Sequence, residues 1–215
     1  IHAIGDRAIG MAINAFYSAK KQLFNSRVRN RIEHAELSSP TLYDRFHSLG
    51  VIASVQPSHM IYDNEKENYN ELRVGPKRVQ NAFAWKNFQN AKVHMAFGTD
   101  WPVMPINPMI GLLGAVYRTH YNGKPANGWL PTQKISMSDA IDAYTYGGAF
   151  ASHEEDTKGS IREGKFADLV VLGADPFKTK GTDLLKIPVI YTLAGGQIVY
   201  EVPATFPGDA AAIKR

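Results

Sequence analysis

The feature that most constrains the fold is the regular alternation of strand-like and helix-like segments over residues 1–157. Short β-rich runs at residues 31–34, 51–55 and 93–97 alternate with segments whose apolar residues recur at helical spacing. Such alternation is typical of parallel βαβ units. These three strands and the end of a fourth at residues 1–2 predict half of a (β/α)8 barrel, because a complete barrel needs about 250 residues.

Helices are predicted near residues 6–24, 40–49, 78–90, 107–119 and 136–152. Ser39 is expected to cap the second helix and Gly50 to end it. Ser136, with Asp139 three residues later, resembles a capping box for the last helix. Residues 58–76 are polar and irregular, which predicts a long loop.

The pattern changes beyond residue 157, where helical spacing gives way to short β runs punctuated by glycine and proline. Runs at 169–172, 189–192 and 198–200 read as strands, and Gly195-Gly196 reads as a hairpin turn between the last two. The sequence therefore predicts a barrel segment over residues 1–157, a small β segment over 158–201 and a loosely ordered tail over 202–215.

The composition excludes several functional classes. The chain contains no cysteine, so disulfides, thiolate metal sites and a cysteine nucleophile are excluded. The net charge of +4 comes from mostly scattered basic residues, so we expect no nucleic-acid partner. No apolar run approaches the ~20 residues that span a bilayer. We expect a small-molecule substrate and a cytoplasmic protein, with secretion as the alternative if an upstream signal peptide has been lost.

Three polar side chains fall at the carboxyl ends of predicted parallel strands: His2, His34 and Asp100. In a barrel these strand ends form the active-site face. Two imidazoles and a carboxylate suit Zn²⁺ or another first-row divalent metal. Each residue also has an ordinary interpretation, since His2 could cap a strand, His34 could be a satisfied core histidine and Asp100 could be a helix N-cap.

His59 follows the strand that lies between those of His34 and Asp100, and we expect it at the same mouth. There it would contact the substrate or support a residue that does. The alternative is a histidine in a loop without a further role.

Five segments resemble the motifs of a known family. They are residues 2–8 (HAIGDRA), 31–35 (RIEHA), 54–57 (SVQP), 97–103 (FGTDWPV) and 155–172 (EDTKGSIREGKFADLVVL). These motifs resemble those of amidohydrolase family 3, the YtcJ-like branch that includes N-substituted formamide deformylase. The resemblance runs in the same order from residue 1 to about residue 201.

The resemblance implies a role for each site residue. His2 and His34 match the metal-ligand histidines of the fifth and sixth barrel strands. Asp100 matches the aspartate of the eighth strand, which touches the metal and acts as general base. Trp101 and His59 would then bind the substrate. Residues 1–157 would be strands five to eight of a TIM-type barrel, and 158–201 part of a small β-sandwich.

The chain also departs from the family pattern. The family's His-x-His pair of the first strand, and the Lys or Glu of the fourth, do not occur in these 215 residues. We therefore expect the missing N-terminal half of the same protein as a partner, or a homo-oligomer that covers the open strand edges. Glu36 stands where many relatives have glutamine.

The activity implied by the resemblance is hydrolysis of C–N bonds in non-peptide amides, such as N-acyl or N-formyl amines and cyclic amides. A divalent metal, expected to be zinc, would activate the water, and Asp100 would take its proton. Two alternatives stay open: a deaminase or esterase that uses the same metal site, and a truncated, non-catalytic barrel that acts as a binding or scaffold protein.

Overall fold

The computed structural model describes residues 1–22, 28–61 and 69–203. The helices in these ranges are α1 (Asp6–Gln22), α2 (Tyr43–Leu49), α3 (Tyr69–Arg78), α4 (Trp85–Asn90), α5 (Pro108–Val116), α6 (Met137–Tyr144) and α7 (Tyr146–Ala151). The strands are β1 (His2–Ala3), β2 (Arg31–His34), β3 (Ile52–Val55), β4 (Met95–Phe97), β5 (Leu169–Leu172), β6 (Val189–Ala194) and β7 (Gln197–Glu201).

The first four strands form one parallel sheet in the order β1-β2-β3-β4. Neighbouring strands pair in sequence order, with Ala3 opposite His34 and Val55 opposite Phe97. Parallel neighbours end at the same edge of the sheet, so this register brings residues that are distant in sequence to one face. The predicted parallel α/β arrangement is confirmed, whereas closure of these strands into a barrel with others stays a prediction.

The core lies between this sheet and the helices that cover it. Ile32 and Ile52 of adjacent strands are fully buried, as are Ile9 and Ile13 of α1 and Phe46 of α2. The helical spacing of Ile9 and Ile13 places both on the face of α1 that packs inward. Each such side chain contributes about 1.5–3 kcal/mol when it leaves water. Apolar strands covered by helices therefore hold the strand ends in a fixed frame.

The predicted long loop over residues 58–76 is wrong where the structure describes that segment. Pro57–Met60 is a 3₁₀ turn, and α3 begins at Tyr69, while residues 62–68 lie outside the described residues. Helix α3 was missed because its described residues lack a buried stripe, so no apolar periodicity marks it. Gly75 interrupts α3 at a φ of 77°.

The predicted helix over residues 78–90 is also not continuous. A 3₁₀ turn, Val79–Asn81, is followed by α4, and Phe83 lies between them at a φ of 49°. This break frees the backbone N–H of Phe83, which donates to the carbonyl of Glu36 at 2.6 Å. A tertiary hydrogen bond therefore replaces the helical one that the local pattern predicts.

Helix ends follow the predicted signals in part. Ser136 and Asp139 form the predicted capping box, and Gly50 ends α2 in the left-handed conformation. Ser39 does not cap α2: it precedes a 3₁₀ turn, Pro40–Leu42, and its hydroxyl pairs with that of Thr41. Helix α1 is described to Gln22, and the predicted residues 23–24 lie outside the described ranges.

The remaining strands form a separate antiparallel sheet in the order β5-β6-β7. Gly195 and Gly196 make the predicted turn between β6 and β7, with φ values of 56° and 81° that glycine adopts without strain. The division of the chain at residue 158 stays a prediction, and residues 204–215 of the predicted tail lie outside the described residues. Within the described ranges, no helix has the length and apolar character needed to cross a bilayer.

Candidate active site

The site begins where β2 ends, at a backbone that turns sharply. His34 has a φ of 76° and Ala35 a φ of 44°, and Asp100 after β4 has a φ of 59°. Left-handed conformations cost non-glycine residues of the order of 1 kcal/mol or more, and they cluster at functional sites. The N–H of Ala35 donates to the carbonyl of Ala3 at 3.1 Å, so the turn is tied to β1.

His2 and His34 come together at this end of the sheet. Nδ1 of His2 lies 2.9 Å from Nε2 of His34, although the residues are 32 positions apart. The ring centroids are 5.0 Å apart. His34 is buried, and His2 is exposed at the sheet edge. The two predicted histidines thus offer ring nitrogens to a common point.

Gln56, immediately after β3, fixes the ring of His34. Its Oε1 lies 2.9 Å from Nδ1 of His34, and its Nε2 donates to the carbonyl of Ser54. Because the amide nitrogen of Gln56 is engaged with Ser54, its oxygen accepts from His34, and Nδ1 of His34 carries the proton. Nε2 of His34 therefore carries the lone pair of the ring, and this lone pair faces Nδ1 of His2. We did not identify Gln56 from the sequence, although its position at a strand end was a usable signal.

His59 and Asp100 form the second half of the site. Nδ1 of His59 lies 3.0 Å from Oε1 of Glu36, and Nε2 of His59 lies 3.7 Å from Oδ2 of Asp100. The rings of His59 and His34 stack at 5.7 Å. Nε2 of His59 is buried and has no hydrogen-bond partner among the described residues. His59 thus lies at the mouth where it was predicted, between His34 and Asp100.

The most compact group of ligand atoms differs from the predicted one. Among the described residues, His34, Glu36 and His59 each offer one ligand atom within 4.8 Å of the others. The predicted set of His2, His34 and Asp100 does not form so tight a group. Within that set His2 contacts His34, whereas the contact of Asp100 is with His59, which lies outside the set.

The donor set nevertheless fits a divalent metal. Two imidazole nitrogens bound to one zinc at ~2.0–2.1 Å stand about 3.3 Å apart, close to the 2.9 Å between His2 and His34. Imidazole nitrogens with nearby carboxylates are the ligands that zinc and related metals prefer. Nε2 of His59, which has no hydrogen-bond partner among the described residues, is a further buried polar atom that a bound group would satisfy.

Trp101 extends the mouth outward. Trp101 is 66% exposed, and a turn follows it in which the N–H of Val103 donates to the carbonyl of Asp100 at 2.8 Å. An exposed indole beside a buried polar cluster is the arrangement expected of a residue that covers a bound substrate. Its predicted role in substrate binding stays a prediction.

Arg118 is connected to the site through the backbone of Phe83. Its guanidinium is fully buried and donates to the carbonyls of Phe83 and Trp129 at 2.8 and 2.6 Å. Burial lowers the pKa of Arg118 to about 9, which leaves it mostly charged at neutral pH. Phe83 in turn donates its N–H to the backbone carbonyl of Glu36. Arg118 therefore helps to hold the backbone of Glu36 in place through Phe83.

Comparison with known proteins places the chain in a family. A model of the Amidohydrolase family matches residues 1–200. The chain is 33% identical to the Arabidopsis thaliana protein LONG AFTER FAR-RED 3 over 93% of its length and 33% of the relative's. It is 27% identical to the N-substituted formamide deformylase of Arthrobacter pascens, over 94% of this chain and 36% of that enzyme. The chain thus spans about a third of these curated relatives.

Solved structures agree with this assignment. An uncharacterized metal-dependent hydrolase from Pyrococcus horikoshii superposes on 84% of this chain and 34% of its own, with a TM-score of 0.70 and 31% identity. The motifs, the fold and the family match all support the same family assignment. The chain belongs to amidohydrolase family 3.

Proposed function

We propose that this chain carries part of the active site of a metal-dependent hydrolase that cleaves C–N bonds in non-peptide amides, with N-formyl and N-acyl amines as the leading substrates. The observation that carries the proposal is the meeting of His2 with His34, and of His59 with Asp100, at one end of a parallel sheet. The formamide deformylase among the relatives supports an amide as substrate.

His2, His34 and Asp100 would hold the metal, with zinc as the expected ion. When bound, such a metal lowers the pKa of a water ligand to about 7 and polarises a carbonyl oxygen. Gln56 keeps a proton on Nδ1 of His34, which leaves Nε2 free to act as a ligand. Metal binding and ring orientation thus depend on the same hydrogen bond.

Asp100 would move the proton. In hydrolysis the water oxygen bonds to the carbonyl carbon while the water loses a proton, and the C–N bond then breaks as the nitrogen gains one. The carboxylate of Asp100 accepts the first proton and returns it to the leaving nitrogen. Trp101 and His59 would hold the substrate on either side of this carboxylate. No net proton is gained or lost at Asp100.

The proposal is tested by hydrolysis of a panel of N-formyl and N-acyl amines by the protein in its complete natural length. Asp100→Asn should lower kcat by about 100-fold or more, in the range typical of a lost general base. Asp183→Asn is the matched control, because Asp183 is an exposed carboxylate paired with Lys186 far along the chain. That variant should keep wild-type rates.

Wild-type protein that cleaves esters or deaminates amines, yet leaves all the amides intact, would overturn the proposed substrate class. Equal amide turnover by wild type and Asp100→Asn would overturn the proposed role of Asp100. Absence of any turnover, together with absence of bound metal, would favour a scaffold protein.

A further inference from the structure

We infer that Arg118 is a positioning residue of the proposed active site: its guanidinium holds the backbone that sets the place of Glu36 and, through Glu36, that of the His59 ring. The inference rests on the proposed function and deepens it. Because the side chain of Arg118 is fully buried, it acts on turnover without touching the substrate.

The first step concerns what surrounds the guanidinium of Arg118. Among the described residues its partners are backbone carbonyls and ring faces. Nε donates to the carbonyl of Trp129 at 2.6 Å, and the terminal nitrogens donate to those of Phe83 and Ala82 at 2.8 and 3.4 Å. The central carbon lies 4.7 Å from the ring centre of Trp85. A buried charge is costly without such partners, so the guanidinium and these carbonyls hold one another in place.

The second step concerns the backbone of this cluster. Phe83, Arg118 and Leu130 have φ values of 49°, 56° and 48°. Left-handed conformations are unfavourable for residues with a side chain, and they persist where surrounding contacts impose them, often at functional sites. Arg118 supplies contacts of this kind, since its guanidinium holds the carbonyl of Phe83 and its own carbonyl accepts from the N–H of Trp129 at 2.8 Å.

The third step connects the cluster to the mouth. The carbonyl of Phe83 accepts from Arg118, and the N–H of Phe83 donates to the backbone carbonyl of Glu36 at 2.6 Å. The side chain of Glu36 is largely buried, and its Oε1 lies 3.0 Å from Nδ1 of His59. This contact sets the place of the His59 ring, whichever of the two groups carries the shared proton.

The fourth step concerns turnover. Nε2 of His59 lies 3.7 Å from Oδ2 of Asp100, where the proposed mechanism requires the leaving nitrogen. A His59 ring displaced by about 1 Å would no longer hold the substrate against Asp100, and misplacement of that size lowers turnover by about 100-fold. Loss of Arg118 removes the support of Glu36 and so permits this displacement.

The test uses the protein in its complete natural length and two substitutions of Arg118. Arg118→Met removes all three hydrogen bonds but keeps a long side chain, and Arg118→Lys keeps the charge on a single donor group. Arg29→Met is the matched control. Arg29 also lies over an aromatic ring, that of Phe150, and donates to the carbonyl of Phe150, but it precedes β2 and so lies at the opposite end of the sheet.

Amide turnover is measured at a temperature at which urea denaturation shows each variant to be folded. Arg118→Met should lower kcat/KM for an N-formyl amine by about 10- to 100-fold, and Arg118→Lys by less. Arg29→Met should lose stability but keep the wild-type kcat/KM. Glu36→Ala should also lower kcat/KM, and Arg118→Met should add little to that loss in the double variant, because both changes act on the same contact.

A second measurement does not depend on amide turnover. The ring resonances of His59 are observed by NMR in protein labelled with ¹³C-histidine, and they are assigned by their loss in His59→Gln. They should shift in Arg118→Met and, by less, in Arg118→Lys, and they should keep their wild-type positions in Arg29→Met. If Arg118 served folding alone, the resonances of a folded variant would not move.

Several outcomes would overturn the inference. One is a folded Arg118→Met variant with the wild-type kcat/KM or with unshifted His59 resonances. Another is an additive loss in the double variant, which would mean that Arg118 acts by a route other than Glu36.

If Arg118→Met does not fold, Arg118→Lys decides the question. Wild-type turnover or unshifted His59 resonances in that variant would overturn the inference, and reduced turnover with shifted resonances would support it. Failure of the wild type to cleave any amide would count against the proposed function alone, since the His59 resonances still test whether Arg118 positions the ring.

Discussion

Replacing Gly114 by alanine tests whether the turn that carries His59 is held rigidly against α5. A Cβ at Gly114 would lie 2.5 Å from the carbonyl oxygen of Pro57 and 3.2 Å from its carbonyl carbon. Close carbon–oxygen contacts stand at about 3.3 Å or more, so the Pro57–Met60 turn would have to retreat by roughly 0.8 Å. The clashing atoms of Pro57 belong to the backbone, so no flexible side chain can move to relieve the contact.

The expected cost follows from two opposing effects. Overpacking of this kind costs about 1–3 kcal/mol, whereas alanine in place of a helical glycine gains up to about 1 kcal/mol. Gly10→Ala in α1 isolates the second effect, because a Cβ there meets only Cδ2 of Leu42 at 3.9 Å. Gly10→Ala should therefore be stabilising by about 0.5–1 kcal/mol, and Gly114→Ala less stable than Gly10→Ala by about 1–3 kcal/mol.

Urea denaturation of both variants measures this difference, and amide turnover measures its effect on the site. A displacement of His59 of this size should lower kcat/KM by up to about 100-fold in Gly114→Ala and leave Gly10→Ala unchanged. The reasoning is refuted if the two variants are equally stable and both turn over amides at the wild-type rate. That result would mean that the Pro57–Met60 turn moves away from α5 without loss of stability.

Three further predictions concern single side chains. Gln56→Leu leaves the buried Nδ1 of His34 without its acceptor, so it should cost about 1–3 kcal/mol in urea denaturation and weaken zinc binding about 10- to 100-fold in a chelator competition. The hydrogen bond from Arg29 lowers the pKa of Glu155 from 4.5 to about 2, so its stabilisation is complete above pH 4.5 and is lost as the pH falls through 2; Glu155→Gln should flatten that part of the acid unfolding profile. The hydroxyl of Tyr144 is buried without a partner among the described residues, and burial raises its pKa, so Tyr144→Phe should be neutral or stabilising by about 1 kcal/mol in thermal unfolding.

The strand ends could be predicted from the sequence because they depend only on local patterns. Apolar runs cut off by polar residues mark where β2, β3 and β4 end, and parallel pairing brings such ends to one edge. The same reasoning predicts His34, His59 and Asp100 at one mouth of the sheet. The positions of the strand ends do not determine which side chains contact one another within the mouth.

The Glu36–His59 contact depends on backbone conformations that the sequence does not display. Residues 34 and 35 adopt positive φ values, and this turn carries Glu36 over to His59. Alanine has no intrinsic preference for a positive φ, and the turn is held by the hydrogen bond from Ala35 to Ala3 and by the bridge between Leu37 and Ala82. Tertiary contacts therefore set the partner of His59.

Helix α3 shows the same limit for secondary structure. Its described residues have no buried face, so the apolar spacing that revealed α1 is absent and the segment reads as a loop. Conversely, the helical pattern over 78–90 contains a break at Phe83, because its N–H is used by Glu36. In the second case a tertiary hydrogen bond overrides the local preference for helix.

The central claim is that His34 belongs to a metal site. Metal content measured by mass spectrometry after exhaustive dialysis tests this claim most directly. The protein in its complete natural length should retain stoichiometric zinc, and His34→Asn should lose most of it. His47→Asn, an exposed histidine that contacts the carbonyl of Lys92, should keep the wild-type content. Wild-type protein without stoichiometric metal, or His34→Asn with the wild-type content, would contradict a metal site built on His34.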